Sequence, residues 1–376
     1  MAKICNKCVM DTSDPDIIFD PKGICNYCVN FESEILPDWN YGLGKEKELE
    51  QLAQEIKKAG KGKDFDCIIG LSGGLDSSYT AYVATKVMGL RPLLFHVDAG
   101  WNTDRAVGNI EKLVESLALD LYTDVVNWEE MKDLQLSFFK AQVADQDLPQ
   151  DTAFFSGLYR FARKHKIKYV LTGGNFSTEC CREPEEWGAY PGIDKRLIKD
   201  IHSQFGQRKL ETFPLLDILR YKAFYQYILG MKVVKPLNLC RYNKREAENT
   251  LAEYCGWEPF KHKHHESRFT RFYEDYWMPR KFGYEKRRAH FSSLIMTGQL
   301  DRDAAITRLE TSELSEFELA KEFEFVASKL DISIAELQSI FEGENKTYKD
   351  YKNKRFLIGI GARVLTLLGI EKRFFK

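Results

Sequence analysis

The chain has 376 residues, of which 44% are apolar, 30% charged and 13% aromatic. That composition excludes disordered, collagenous and coiled-coil architectures and leaves room for more than one domain. Its 55 lysines and arginines nearly cancel 56 aspartates and glutamates, so no global field draws it to nucleic acid or membrane, and a basic site has to be local. The first residues lack a basic segment followed by an apolar one, and no apolar run reaches about 18 residues, which predicts a cytoplasmic protein with reduced thiols.

Cys5 and Cys8 form one C-x-x-C knuckle and Cys25 and Cys28 a second, a spacing that brings four sulfurs to one point. Four thiolates complete a tetrahedron and leave no position open for substrate, so the expected zinc is structural; an iron–sulfur cluster suits the same ligands. Turns at Thr12 to Pro15 and Asp20 to Gly23 are expected to flank a short strand at Ile17 to Phe19, as in a zinc ribbon.

Asp66 to Leu71 reads as a buried strand that runs into Ser72-Gly73-Gly74-Leu75-Asp76-Ser77-Ser78, and a helix is expected immediately afterwards. Strand, glycine turn and helix start together offer unpaired N–H groups and a positive dipole end to an anion. No lysine follows the glycines, so this is not a Walker A loop. Arg91 to Val97 reads as a second strand ending in Asp98, placed at a carboxyl edge where ligands bind. Asp104 to Leu117 reads as a helix, Asp120 to Val125 as a third strand, and Tyr169 to Thr172 as a later strand entering Gly173-Gly174-Asn175. Alternation of this kind predicts an α/β fold with a doubly wound parallel sheet.

The string Ser72-Gly73-Gly74-x-Asp76-Ser77 resembles the PP-loop of the ATP pyrophosphatases. The resemblance implies cleavage of ATP between its α and β phosphates, with ATP and Mg2+ met by Ser72, Gly73, Gly74, Asp76, Ser77 and Ser78, by Asp98 at adenosine or magnesium, and by Gly173 and Gly174. Further strings narrow the likeness: Gly173 to Glu179, Trp187-Gly188, Ile201-His202 with Phe205-Gly206, Lys263-His264-His265-Glu266-Ser267-Arg268, Pro279 to Gly283, and Lys286 to His290. With the cysteine module they resemble the N-acetyl sugar amidotransferases of bacterial surface-polysaccharide and flagellin-glycan pathways. Cys180-Cys181 departs from what that likeness leads one to expect.

The family implies that an acetamido oxygen of an N-acetylated, nucleotide-linked sugar attacks the α-phosphorus, and that ammonia then displaces AMP to leave an acetamidino group. Lys261 to Arg288 holds nine lysines and arginines against four acids, interleaved with seven aromatics expected to stack on base or sugar. Within it Lys263, His264, His265, Glu266 and Arg268 are candidate catalytic groups, and Arg287 and Arg288 candidate phosphate ligands. Asp76 joins the catalytic set, and Glu179 is expected to orient the substrate amide or ammonia.

No glutaminase machinery is evident: residue 2 is Ala2, Cys67 lies inside a strand, and Cys240 lacks flanking glycines. A separate glutaminase subunit and an ammonia-channel subunit, similar to those of histidine biosynthesis, are therefore expected. The organisation expected is a four-cysteine module over 1–44, an ATP-binding catalytic domain over 45–260, a substrate- and phosphate-contacting segment over 261–300, and a helical appendage over 301–376. Helices in that appendage are read at Asp303 to Glu310, Glu316 to Leu330 and Ser333 to Phe341, the last with a capping-box spacing. The competing readings are a transfer-RNA thiolation enzyme using Cys180 and Cys181, and a non-catalytic zinc-ribbon adaptor that binds nucleotide.

Overall fold

In the computed structural model, residues 3–188, 190, 193–218, 221–261, 263–312 and 314–367 are described. Five strands form one sheet: β1 Cys67–Gly70, β2 Pro92–Asp98, β3 Leu121–Val125, β4 Tyr169–Leu171 and β5 Lys232–Val234. Their order is β3-β2-β1-β4-β5 and every pairing is parallel. Successive side chains of a strand point to opposite faces, and here both faces are covered. Ile68, Phe95, Val97 and Val170 enter one core with the helices Trp128–Lys140 and Leu148–Lys164. Cys67, Ile69, Leu94, Tyr169 and Leu171 enter the other with the helices Glu46–Gly60, Asp104–Leu117 and Lys244–Cys255. The continuous apolar strands therefore reflect two-sided burial.

Helix starts follow local chemistry. Thr103, Asn127, Asp194 and Asn243 each accept a hydrogen bond from a first-turn N–H, satisfying donors that the helix leaves orphaned. The helix after β1, Leu75–Tyr82, differs: its cap is Gly74, which has no side chain to occupy those N–H groups. The order of the sheet reverses between β1 and β4, so the turns after these two strands meet at the switch point where ligands of open α/β sheets bind.

The cysteine module contains no strand at Ile17 to Phe19. Isolated bridges join Ile4 to Asp11 and Phe19 to Cys25. Asp11, Asp14 and Asp20 accept hydrogen bonds from N–H groups two residues on, and these turns take backbone donors that a ladder would need. From Asn26 to Trp39 the chain is helical, which the sequence reading did not anticipate.

The segment expected to stack on a ligand is largely core. Phe269, Phe272, Tyr273 and Trp277 are fully buried and pack against Phe139, Phe323 and Phe341. Their period matches a buried helix face, and burial of aromatic area outweighs solvation of the interleaved charges. The tail helices Glu316–Lys329 and Ile334–Phe341 place Phe323, Val326, Leu337 and Ile340 in that same core. Ser315 and Glu318 form a full capping box, and Ser333 caps the next helix through the Glu336 N–H. Among the described residues no helix is long and apolar enough to cross a membrane.

Candidate active site

The loop after β1 folds over its own side chains. Ser72 N–H donates to Ser77 Oγ at 3.2 Å and Gly74 N–H donates to Ser72 Oγ at 3.2 Å, while Ser78 is buried behind the loop. Gly73 adopts φ +83°, and a Cβ there would stand 2.5 Å from the Ala106 carbonyl oxygen, so only glycine fits. A Cβ on Gly173 would lie 2.7 Å from the Asp76 carbonyl carbon. The two glycine turns are thus in van der Waals contact, and the helix start at Asp76 faces the end of β4.

Asp76 is the hub of the site. One of its oxygens accepts a hydrogen bond from the Tyr242 hydroxyl; the other lies 3.5 Å from both Thr178 Oγ1 and Lys263 Nζ. Lys263 Nζ also donates to Glu179 Oε1. Burial works against the charge of Lys263, but Glu179 and Asp76 outweigh it and raise its pKa above the ordinary lysine value. Burial likewise pushes Glu179 up, and Lys263 overrides it, leaving a lowered pKa and an ionised carboxylate. The result is an ammonium group held between two carboxylates beside the backbone donors of the Gly74-capped helix start.

The string after Lys263 reaches the loop because it is stapled to the end of β2. Thr103 N–H donates to the Glu266 carbonyl at 3.0 Å and Arg268 N–H to the Trp101 carbonyl at 2.8 Å. Glu266 Oε1 then accepts from Ser72 Oγ at 3.1 Å. His264 has φ +63°, and its Nδ1 lies 3.1 Å from Glu274 Oε1. Burial alone would lower its pKa, but Glu274 raises it to about 9; Glu274 itself is held down to about 2 by His264 and Lys286 against the effect of burial. His265 Nε2 pairs with Asp275 at 3.1 Å. Lys286 bridges Glu274 at 3.3 Å and Glu183 at 3.0 Å. Beyond it stand Asp145, Asp147 and Asp151, all pushed up by burial, Asp147 to about 7.

Several expected ligands lie elsewhere. Arg287 is bound to Glu285 and to the carbonyls of Arg308 and Thr311. Arg288 pairs with Asp11 at 3.1 Å and donates to the Val9 carbonyl. Both guanidiniums are committed to joining the Arg287–Met296 helix to its neighbours, and neither is placed as a phosphate ligand. Arg268 pairs with Glu322 and stacks 3.4 Å above the centre of the Phe325 ring, in the interface with the tail helix. Asp98 caps its own turn, accepting from Gly100 N–H and Asn102 Nδ2. Tyr242, Thr178, Glu274, Lys286 and Glu183 were not singled out from the sequence, because each reaches the site only through long-range packing.

The four cysteine sulfurs lie within 4.8 Å of one another and are buried. The Sγ separations are 3.9 Å for Cys5 and Cys28, 3.5 Å for Cys8 and Cys25, and 3.8 Å for Cys25 and Cys28. A tetrahedron with zinc–sulfur distances of about 2.3 Å has edges of about 3.8 Å, so the set fits that ion. The module is bolted down: Arg302 donates to the carbonyls of Cys5 and Cys8, and Val9 N–H donates to Ser292. Cys180 and Cys181, directly after Glu179, pack into the same cluster. Cys181 N–H donates to Ser293 Oγ at 2.9 Å, and burial pushes the Cys180 thiol up to about 12.

Residues 266–365 match the family model described as LPS biosynthesis protein WbpG-like, C-terminal domain. The chain is also similar to a glutamine-hydrolysing GMP synthase subunit of Archaeoglobus fulgidus, with 24% identity over 240 residues, 57% of this chain and 74% of that protein. Among solved structures, an NMN synthetase from Francisella tularensis matches 76% of this chain and 93% of its own, with 16% identity and a TM-score of 0.33. An NH3-dependent NAD synthetase from Campylobacter jejuni matches 81% and 99%, with 14% identity and a TM-score of 0.34. The chain therefore joins a parallel α/β domain with a PP-loop at its switch point to a C-terminal domain of the WbpG-like lipopolysaccharide-biosynthesis kind.

Proposed function

We propose that this protein is an ATP-dependent, AMP-forming amidotransferase that converts the acetamido group of an N-acetylated, nucleotide-linked sugar into an acetamidino group in surface-glycan synthesis. The observation that carries the reading is the Asp76, Lys263 and Glu179 constellation beside the Gly74-capped helix start, in a chain with a WbpG-like C-terminal domain. The similarity to a glutamine-hydrolysing GMP synthase subunit supports ATP-linked amidation as the reaction class.

An acetamido carbonyl is a weak electrophile. In the proposed sequence its oxygen bonds to the α-phosphorus, the bond to the β-phosphate oxygen breaks, and pyrophosphate leaves toward the N–H groups of the loop. Ammonia then adds to the imidate carbon, and AMP departs with the former amide oxygen after loss of a proton. Lys263 offers N–H donors to the charge developing on phosphorus, and the ionised Glu179 accepts from the amide N–H or incoming ammonia. Charged His264 is a further donor and not a base near neutral pH. Magnesium would ride on the ATP phosphates with Asp76 as the nearest carboxylate, a coordination that needs only one or two protein oxygens. Zinc in the cysteine module would be structural.

Cys67, Cys180, Cys181, Cys240 and Cys255 all have raised thiol pKa values, burial being the main cause. None is an activated thiolate. This favours ammonia from a separate glutaminase, delivered through a channel subunit, and disfavours Cys180 and Cys181 as sulfur carriers for transfer-RNA thiolation.

The test is a mass-spectrometric assay of acetamido nucleotide sugars with ATP, magnesium and ammonium chloride. Exchange of oxygen for NH lowers the sugar mass by about 1 Da while AMP and pyrophosphate accumulate, the products that an activated imidate requires. ADP formation, or AMP formed only with transfer RNA, would overturn the reading.

A further inference from the structure

The helix Arg355–Leu367 covers the body of the protein with only part of its surface: Ala362 is buried and Ile358 packs against the main core. Its other side is apolar and uncovered. Phe356 is 78% exposed, Ile360 44%, Val364 46% and Leu367 87%, with Leu357 beside them at 48%. Steps of four, four and three residues place them in one stripe along the helix. Between Arg355 and Leu367 the sequence holds two arginines and no acid.

At the foot of this helix lies a basic depression of about 410 Å3 lined by Lys195, Arg196, Lys199, Lys352 and Lys354, with Asp200 and Asp217. Lys352 and Lys354 answer the two acids at 3.6 Å and 2.6 Å. Among the described residues no carboxylate pairs with Lys195, Arg196 or Lys199. The depression is fixed to the helix, since Lys354 N–H donates to Asp194, the cap of the Lys195–Phe205 helix, and Lys352 N–H donates to Asp200.

We propose that this face seats the protein on an anionic lipid surface, with the apolar stripe entering the acyl boundary and the lysine cluster meeting phosphate headgroups. An exposed apolar stripe joined to uncompensated cations is the pattern of a helix that lies in a membrane interface without spanning it. A second copy of the chain is a poorer occupant: the same acid-free helix would face itself and supply no counter-charge. The near-neutral net charge of the whole chain makes the binding local to this face.

The test is co-sedimentation of the full chain with vesicles of phosphatidylcholine, with and without roughly one third phosphatidylglycerol. Binding is expected only to the anionic vesicles and should fall as salt rises. Ile360→Asp with Val364→Asp should weaken it about tenfold, and so should Lys195→Glu with Lys199→Glu, at unchanged thermal melting because these side chains are exposed. Equal binding to neutral vesicles, no binding to either, or wild-type binding by both double variants would overturn the proposal. A wild-type dimer that Ile360→Asp dissociates would assign the stripe to a second copy instead and overturn it equally.

Discussion

Lys263 sits between Asp76 and Glu179 as the cation shared by two carboxylates, so its removal both deletes a donor and leaves like charges facing each other. Lys263→Met is expected to lower AMP formation by about 100-fold or more with the fold retained, read by product assay beside circular dichroism. The titrating groups behind the site give pH signatures. His264 is raised from 6.5 to about 9, so its contribution to stability is complete below pH 6.5 and lost as pH rises through 9. The melting difference between wild type and His264→Gln should therefore shrink across that window. Asp147 is raised from 3.8 to about 7 by burial, so ionising it costs stability as pH rises between those values. Asp147→Asn, whose amide oxygen can still accept from Thr270, should raise the melting temperature at neutral pH and lose that gain near pH 4.

At the scale of elements, the cysteine module and the catalytic loop are one assembly. The short helix Phe176–Glu179 ends where Cys180 and Cys181 enter the module's core, so the position of Glu179 depends on the fold of the four-cysteine site. Removing the metal, or Cys8→Ser, is expected to abolish zinc binding by elemental analysis and to cut turnover on the order of 100-fold, the cost of a catalytic group displaced by about 1 Å. The sheet and its two cores contain none of these sulfurs. Retained far-ultraviolet dichroism with lost turnover is therefore the expected pair of results, and unimpaired turnover without zinc would contradict the coupling.

For the whole molecule, the tail is part of the main core. Phe323 touches Phe272 and Tyr276, and Glu322 holds Arg268 and Arg271. Phe323→Ala should cost about 3–5 kcal/mol by chemical denaturation. A chain ending before Ser315 would expose Phe269, Phe272 and Trp277 together, and is expected to aggregate on expression. The WbpG-like match begins at Glu266, inside the stretch that reaches the catalytic loop, and continues through these helices.

Local chemistry was legible without coordinates. Two cysteine knuckles, a glycine turn after a buried strand, and capping side chains before Asp104, Glu316 and Ile334 are properties of neighbouring residues, and the strands and helices they delimit follow within a residue or two. Tertiary structure alone decided how the 261–288 segment divides. Lys263 and Glu266 reach the loop because backbone hydrogen bonds from the end of β2 hold them there, whereas Arg268, Arg287 and Arg288 spend their charge on Glu322, Glu285 and Asp11. Residues of one type and one region diverge because a guanidinium is neutralised by whichever carboxylate packing brings within reach, and that pairing is set by contacts far apart in the chain. The same reason hides Tyr242 and Glu274: a tyrosine becomes the partner of Asp76, and a glutamate the partner of His264, only when separate elements are pressed together by burial of their apolar faces.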